Sequence, residues 1–307
     1  MGAIAASILD RIGSTPLIAL RRIAAPNGAR ILVKLESENP TGSMKDRMAL
    51  AMIAAAEADG RLAAGGTVVE YTGGSTGVSL ALVCAVKGHP LRIVTSDAFA
   101  REKLAHMEAL GARLHVLPSE GGRMTEKLTK DMIAAAGAIA AETGGFSTDQ
   151  MNNRDQLPAY HRMAAEIWDD TGGIVDAFVQ SVGTAASLRG VSEELSRRDG
   201  RIRIVAVEPA ESAVLSGGPT GAHRIDGIGA GYVVPLWHDG IADEIARVTT
   251  EEAAAMAGRL AREEGLFGGT STGANVAAAL RLAERMSSGA TVVTVLCDTG
   301  MKYLSRR

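Results

Sequence analysis

One local pattern, repeated along the chain, limits what this sequence can fold into. A β-rich run is followed by a turn of glycine, serine and threonine, then by an alanine-rich helix. Residues 67–71 (TVVEY) read as a strand, 72–77 as the turn and 78–87 as a helix. Gly88 stands where a left-handed residue ends a helix. Residues 91–95 give the next strand. The pattern returns as strand 175–182, turn 183–187, helix 188–198 and strand 202–207. It returns again as turn 268–273, helix 274–286 and strand 291–296. Such alternation argues for parallel sheets covered by helices on both faces. Small-molecule sites in these sheets lie at the carboxyl ends of the strands, where all three turns would fall. No period of 20 to 50 residues marks a solenoid. The pair Gly144-Gly145 closes an alanine-rich helix and sets an approximate domain boundary.

The chain has 307 residues, enough for two ordinary domains or one large one with a sizeable core. Hydrophobic residues make up 46% and aromatics only 3%, so the core must come from Ala, Val, Ile and Leu. The net charge is −3 and Lys and Arg are scattered, so the basic footprint of a nucleic-acid partner is missing. Arg306-Arg307 reads as a solvated tail. Two cysteines, Cys84 and Cys297, make neither a disulfide framework nor a zinc spacing, and are expected as buried reduced thiols. The six histidines form no H-E-x-x-H pattern, and no metal is expected. The start, MGAIAASILDR, lacks the features of a signal peptide. Ala6 stands where a myristoylation signal needs Ser or Thr. The longest apolar stretch, 132–141, is too short to span a bilayer. These features predict a cytoplasmic protein with no membrane association.

The turns differ in what they could hold. No strand is followed by G-x-G-x-x-G and no Walker pattern is present, which weakens a nicotinamide or ATP reading. In SVGTAASLRG (181–190) the helix-start N–H groups and the hydroxyls of Thr184 and Ser187 suit a phosphate. Alternatively, one of those hydroxyls simply caps the helix. In YTGGSTGVS (71–79) the hydroxyls of Thr72, Ser75 and Thr76 surround Gly73, Gly74 and Gly77, a set suited to a carboxylate or else a plain turn. FGGTSTGAN (267–275) is alike, with Ser271 and Thr272 placed to cap a helix. In NPTGSMKDR (39–47), Ser43 is placed to cap a helix and Asp46 suits its first turn. Lys45 also falls in that turn, where a cation is disfavoured by ~0.3–1 kcal/mol. The helix dipole and burial both push Lys45 towards the neutral amine, the nucleophile that makes Schiff bases. The alternative is an ordinary solvated lysine.

Taken together, these segments resemble the cysteine synthase family of fold type II pyridoxal phosphate enzymes, which includes O-acetylserine sulfhydrylase and cystathionine β-synthase. The resemblance runs from IGSTPLIAL (12–20) to DTGMKYLS (298–305). It includes NPTGSMKDRMA (39–49), HRIDGIGAGYVVP (223–235) and EEGLFGGTSTGANVAAAL (263–280). It implies an α/β fold of two three-layer domains with mostly parallel sheets and pyridoxal 5'-phosphate between them, usually as a homodimer. Residues 36–147 would carry the Schiff-base lysine and the substrate loop. Residues 12–35 with 148–307 would carry the phosphate loop.

The resemblance also assigns roles. Lys45 forms the Schiff base with the cofactor. Gly183, Thr184, Ala185, Ala186 and Ser187 hold its phosphate. Ser271 faces the ring nitrogen, and Ser75 replaces an asparagine that contacts the ring oxygen. Thr72, Gly73, Gly74, Ser75 and Thr76 grip the substrate carboxylate, with Gln150 of TDQMNN as helper. Gly227 of GIGAG lines the entrance. Asp298 approaches the ring or the substrate amine, or else is a strand-end turn residue. The implied activity is β-replacement on an activated serine, an O-acetylserine-like amino acid. Sulfide or another small nucleophile adds, giving cysteine or a related amino acid. A β-eliminating lyase and a non-catalytic regulatory homologue are the alternatives.

The sequence departs from the family pattern at definite places. The substrate loop usually reads T-S-G-N-T-G, and here Gly73 and Ser75 replace the serine and the asparagine. The phosphate loop usually reads G-T-G-G-T, and Ala185 and Ala186 replace its glycine pair. A left-handed residue other than glycine costs ~1–2 kcal/mol, so both alanines are expected at negative φ. Cys297-Asp298 stands where sulfhydrylases carry Pro-Ser. NNRDQLP (152–158) differs from the usual Asn-Pro-Ala-Asn form.

Overall fold

The strands, in chain order, are β1 (Leu17–Ala19), β2 (Arg30–Leu35), β3 (Val68–Tyr71), β4 (Leu91–Ser96), β5 (Arg113–Leu117), β6 (Phe146–Ser147), β7 (Ala177–Ser181), β8 (Arg203–Pro209), β9 (Glu244–Val248) and β10 (Thr291–Leu296). The α-helices are α1 (Lys45–Ala58), α2 (Ser75–Lys87), α3 (Arg101–Ala109), α4 (Glu126–Thr143), α5 (Leu157–Asp170), α6 (Ala186–Arg198), α7 (Thr250–Arg259) and α8 (Thr270–Ala283). This computed structural model describes residues 4–24 and 28–306. The first three residues of the amino-terminal segment and Arg307 of the basic tail pair lie outside the described residues.

The chain divides into two compact units. The first comprises Met1–Ile12, Lys45–Gln156 and Lys302–Arg307; the second comprises Gly13–Met44 and Leu157–Met301. The first unit holds a four-stranded sheet in the order β5-β4-β3-β6, parallel throughout. Its apolar centre includes Val69, Val94, Leu128, Met132 and Ala136, from β3, β4 and α4. On α1, Met48, Ala49, Met52, Ile53 and Ala56 are buried, a spacing that puts them on one helix face. The left-handed Gly144, at φ +59°, ends α4 as the sequence predicts.

The second unit holds a six-stranded sheet in the order β1-β2-β10-β7-β8-β9, parallel except where β1 meets β2. Every residue of β7 and β10 is buried. Successive side chains point to opposite faces, so both faces of this sheet are covered. The edge strand β9 is mostly half-buried, and it carries Glu and Arg that blunt an open edge. The α/β class with mostly parallel sheets is the one the sequence predicts.

Three helices start earlier than the sequence predicts: α2 at Ser75 rather than 78, α6 at Ala186 rather than 188, and α8 at Thr270 rather than 274. Small hydroxyl residues serve a cap or a first turn almost equally well, and backbone geometry decides between them. The cap positions fall on Gly74, Ala185 and Gly269, none with a capping side chain. Ser271 and Thr272 therefore lie inside the first turn of α8 instead of capping it. Ser187 likewise lies inside the first turn of α6.

Candidate active site

In the second unit the strand ends bring three predicted segments together. The N–H of Met44 donates to the carbonyl of Cys297 at 2.9 Å, and Ser43 pairs with Asp298 as an isolated bridge. The N–H of Gly269 donates to the carbonyl of Asp298 at 3.2 Å. The turn before Lys45, the end of β10 and the start of α8 are thus fastened to one another. Gly42, at φ +73°, makes this possible, because a Cβ there would sit 2.6 Å from Thr299 Cγ2. Asn275 of α8 accepts the N–H of Ser181 at 2.7 Å and donates to the carbonyl of Val295 at 2.8 Å, tying α8 to the ends of β7 and β10. Thr272 Oγ1 accepts the N–H of Cys297 at 3.2 Å, and Ser271 is buried beside it.

The 183–187 turn leaves the end of β7 at close quarters with the GIGAG segment. A Cβ on Gly183 would lie 2.4 Å from the carbonyl oxygen of Gly227, so only glycine fits. Thr184 Oγ1 accepts the N–H of Ala186 at 3.4 Å. Ala185 stands at φ +69°, which corrects the expectation of negative φ for both alanines. The chain must turn through the left-handed region to swing from β7 into α6. Ala185 is buried, so its Cβ packs while the backbone bears a strain of ~1–2 kcal/mol. Ala186, the first residue of α6, is not among the positive-φ residues.

In the first unit Lys45 is the first residue of α1, in the first turn as the sequence predicts, but Ser43 lies two residues before the helix and so is not at its cap position. Asp46, fully buried, accepts a hydrogen bond from Ser79 Oγ of α2 at 2.5 Å, so the start of α1 is held against α2. In the 72–77 turn, Thr72 Oγ1 accepts the N–H of Gly74 at 3.1 Å, a local turn bond. Thr76 Oγ1 donates to Gln150 Oε1 at 2.8 Å, so Gln150 does join this turn. That bond occupies the amide oxygen and leaves the Gln150 nitrogen, a donor only, for other acceptors. A Cβ on Gly73 would fall 1.9 Å from the Phe99 ring, and one on Gly77 would fall 2.7 Å from the Met107 side chain.

Glu70 explains why Gln150 is where it is. Its carboxyl accepts from Thr148 Oγ1 at 2.5 Å, from the N–H of Gln150 at 3.1 Å and from the N–H of Tyr71 at 3.0 Å. Burial pushes its pKa up to about 7, against the pull of those hydrogen bonds. Asp149, at φ +43°, turns the chain between Thr148 and Gln150. Burial also pushes the Cys84 thiol up to about 12, which makes it an unreactive core residue.

The whole chain matches known proteins. The model of the pyridoxal-phosphate dependent enzyme family covers residues 8–298. This chain belongs to that family. It is 39% identical over 302 residues to a cysteine synthase of Staphylococcus aureus, across 97% of this chain and 95% of that one. The crystal structure of a cysteine synthase from Entamoeba histolytica superposes with a TM-score of 0.92 at 38% identity, covering 99% of this chain and 90% of that one. An O-ureido-L-serine synthase structure superposes with a TM-score of 0.91 at 36% identity, covering 99% of this chain and 94% of that one. As a member of the family, this chain is a pyridoxal phosphate-dependent enzyme of the cysteine synthase type.

The residues present fit that cofactor's phosphate. Gly183 keeps its side of the turn free of side-chain bulk, the left-handed Ala185 leads directly into the start of α6, whose first N–H groups lack partners within the helix, and Ser187 adds a hydroxyl. Four residues near the predicted site escape a reading of the sequence. Glu70, Phe99 and Gln180 lie in runs that read as strand or turn, and Glu70 within TVVEY and Gln180 within VDAFVQSV each carry a visible anomaly, a polar residue in an apolar run. Lys302 is the fourth: buried, it donates to Ser75 Oγ at 3.3 Å. Its neighbour Tyr303 lies under Lys103 Nζ, 4.1 Å from the ring centre.

Proposed function

We propose that this enzyme carries out β-replacement on an activated serine, an O-acetylserine-like donor, with sulfide or another small nucleophile, giving cysteine or a related amino acid. The observation that carries the reading is the fastening of Ser43 and Met44 to Cys297 and Asp298, which presents Lys45 as the first residue of α1. In this reading the unit around Lys45 is the lysine and substrate domain, and the unit around the 183–187 turn is the phosphate domain.

Bound pyridoxal phosphate supplies an electron sink for charge that develops at the substrate Cα. Lys45 would hold the cofactor through Nζ and, with substrate bound, would take the Cα proton on the same nitrogen. Gly183, Thr184, Ala185, Ala186 and Ser187 bind the phosphate. Ser271 offers the ring nitrogen a neutral hydroxyl rather than a full negative charge. That favours loss of a β-leaving group over prolonged charge storage. Thr72, Gly73, Gly74, Ser75 and Thr76 bind the substrate carboxylate with the amide nitrogen of Gln150. Gly227 lines the entrance, and Asp298 stands near the ring or the substrate amine.

The test supplies O-acetylserine with and without sulfide and measures cysteine and pyruvate. Cysteine formation that depends on sulfide is the expected result. Pyruvate released at the same rate without any nucleophile would replace this reading with a β-eliminating lyase. We further assign a homodimer in the cytoplasm. Family resemblance supports both. Light scattering on the purified protein checks the dimer.

A further inference from the structure

Gln180 has no part in the reading above, yet it is an unusual residue for its place. It lies in β7, whose five residues, AFVQS, are all buried. Strands covered on both faces are near-continuous apolar runs, and glutamine is mostly a surface residue. The amide nitrogen of Gln180 lies 2.8 Å from Ser187 Oγ and 3.5 Å from Met44 Sδ. Its Oε1 is buried with no hydrogen-bond partner. An orphaned polar atom costs about 1–3 kcal/mol, which a methionine of similar size would avoid. The nitrogen is therefore the part of the side chain that the site uses. A thioether sulfur is a weak acceptor, so the contact with Met44 favours nitrogen over oxygen on that side.

An amide N–H can only donate. Ser187 Oγ thus accepts from Gln180, and its own proton must point to another acceptor. A hydroxyl that already accepts one hydrogen bond is a stronger donor for the next. The same nitrogen rests on Met44, the residue before Lys45.

We propose that Gln180 is a positioning residue for the cofactor phosphate. Its amide nitrogen fixes the Ser187 hydroxyl as a donor to the phosphate and supports Met44 from the same point. This rests on the 183–187 turn being the phosphate site.

The experiment titrates the full-length, cofactor-depleted protein with pyridoxal 5'-phosphate and, separately, with pyridoxal, which lacks the phosphate. Visible absorbance of the bound aldehyde is the readout. Gln180→Met keeps the volume and removes the nitrogen. It should weaken pyridoxal phosphate about tenfold, the loss of one oriented hydrogen bond to a charged group, and leave pyridoxal within about twofold. Ser187→Ala should show the same phosphate-specific loss, and the double variant should lose no more than either single one. Gln180→Glu keeps the side-chain shape but would take the Ser187 proton for itself. It should weaken pyridoxal phosphate more than Gln180→Met does, and it decides the matter if the Met variant folds poorly. Equal losses for both ligands, or single losses that multiply in the double variant, overturn the role of Gln180. A phosphate-specific loss in Ser187→Ala but in neither Gln180 variant also overturns it, while leaving the phosphate turn in place. No phosphate-specific loss in Ser187→Ala removes the phosphate turn, and the role of Gln180 with it.

Discussion

In the 72–77 turn the obstacle to a Cβ is a side chain, the ring of Phe99 against Gly73; in the 183–187 turn it is backbone, the carbonyl of Gly227 against Gly183. Both turns join a buried parallel strand to a helix, and both read as glycine, serine and threonine. Their glycines are there for different reasons. A ring can rotate or be trimmed, whereas a carbonyl moves only with its whole segment. The turns also differ in what steadies them. Thr76 is tied through Gln150 to the buried carboxyl of Glu70, whereas Ser187 is tied to the neutral amide of Gln180. The first turn is therefore coupled to a titrating group and the second is not.

The largest expected effect follows from the rigid obstacle. Gly183→Ala should cost about 3 kcal/mol, the upper end for overpacking, because the Gly227 segment has to shift. Thermal unfolding measures it, and a cost below that of Gly73→Ala would break the distinction between the turns.

The next effect concerns pH. Glu70 has its pKa raised from 4.5 to about 7 by burial, so the folded state holds the proton more tightly than the unfolded state. The stabilisation is fully present below about pH 4.5 and is lost as pH rises towards about 7, a change of roughly 3 kcal/mol at most. Corrected for the intrinsic base catalysis of amide exchange, protection at residues 148–150 should fall over that window while protection at 183–187 stays level. In Glu70→Gln the slope should vanish, and a slope that survives the substitution would assign it to another group.

A smaller effect comes from Gly73→Ala, at about 1–2 kcal/mol. In a Phe99→Leu background the penalty should fall by more than half, a coupling that a double-mutant cycle reads directly. An unchanged penalty would mean that the ring is not the obstacle. The smallest effect is expected from Ala185→Gly. It relieves ~1–2 kcal/mol of left-handed strain but adds freedom to the unfolded chain, for a net gain below about 1 kcal/mol. A drop in melting temperature would show that the packed Cβ outweighs the strain.

Much of this was legible in the sequence, for reasons that are local. The strand–turn–helix rhythm follows from side-chain periodicity. The position of Lys45 follows from a turn running into a helix. Gly88 and Gly144 both end helices in left-handed geometry, as glycine allows. Resemblance alone named Gln150 as a helper of the 72–77 turn in holding a substrate carboxylate; the structure adds that its amide oxygen accepts a hydrogen bond from Thr76 of that turn. The helix starts were misplaced by two to four residues, because Ser, Thr and Gly suit a cap and a first turn alike.

The sequence by itself determined the class of fold, the chemistry the family brings and the lysine at the start of α1. All three rest on patterns within a few residues or on motifs in a fixed order. Only the tertiary structure decided that Ala185 turns left-handed, that Phe99 requires Gly73, that Glu70 fixes Gln150 and that Gln180 reaches Ser187 and Met44 together. The first follows from the swing of the chain between β7 and α6, and the other three depend on groups from different segments meeting in a space already filled, which no local preference encodes.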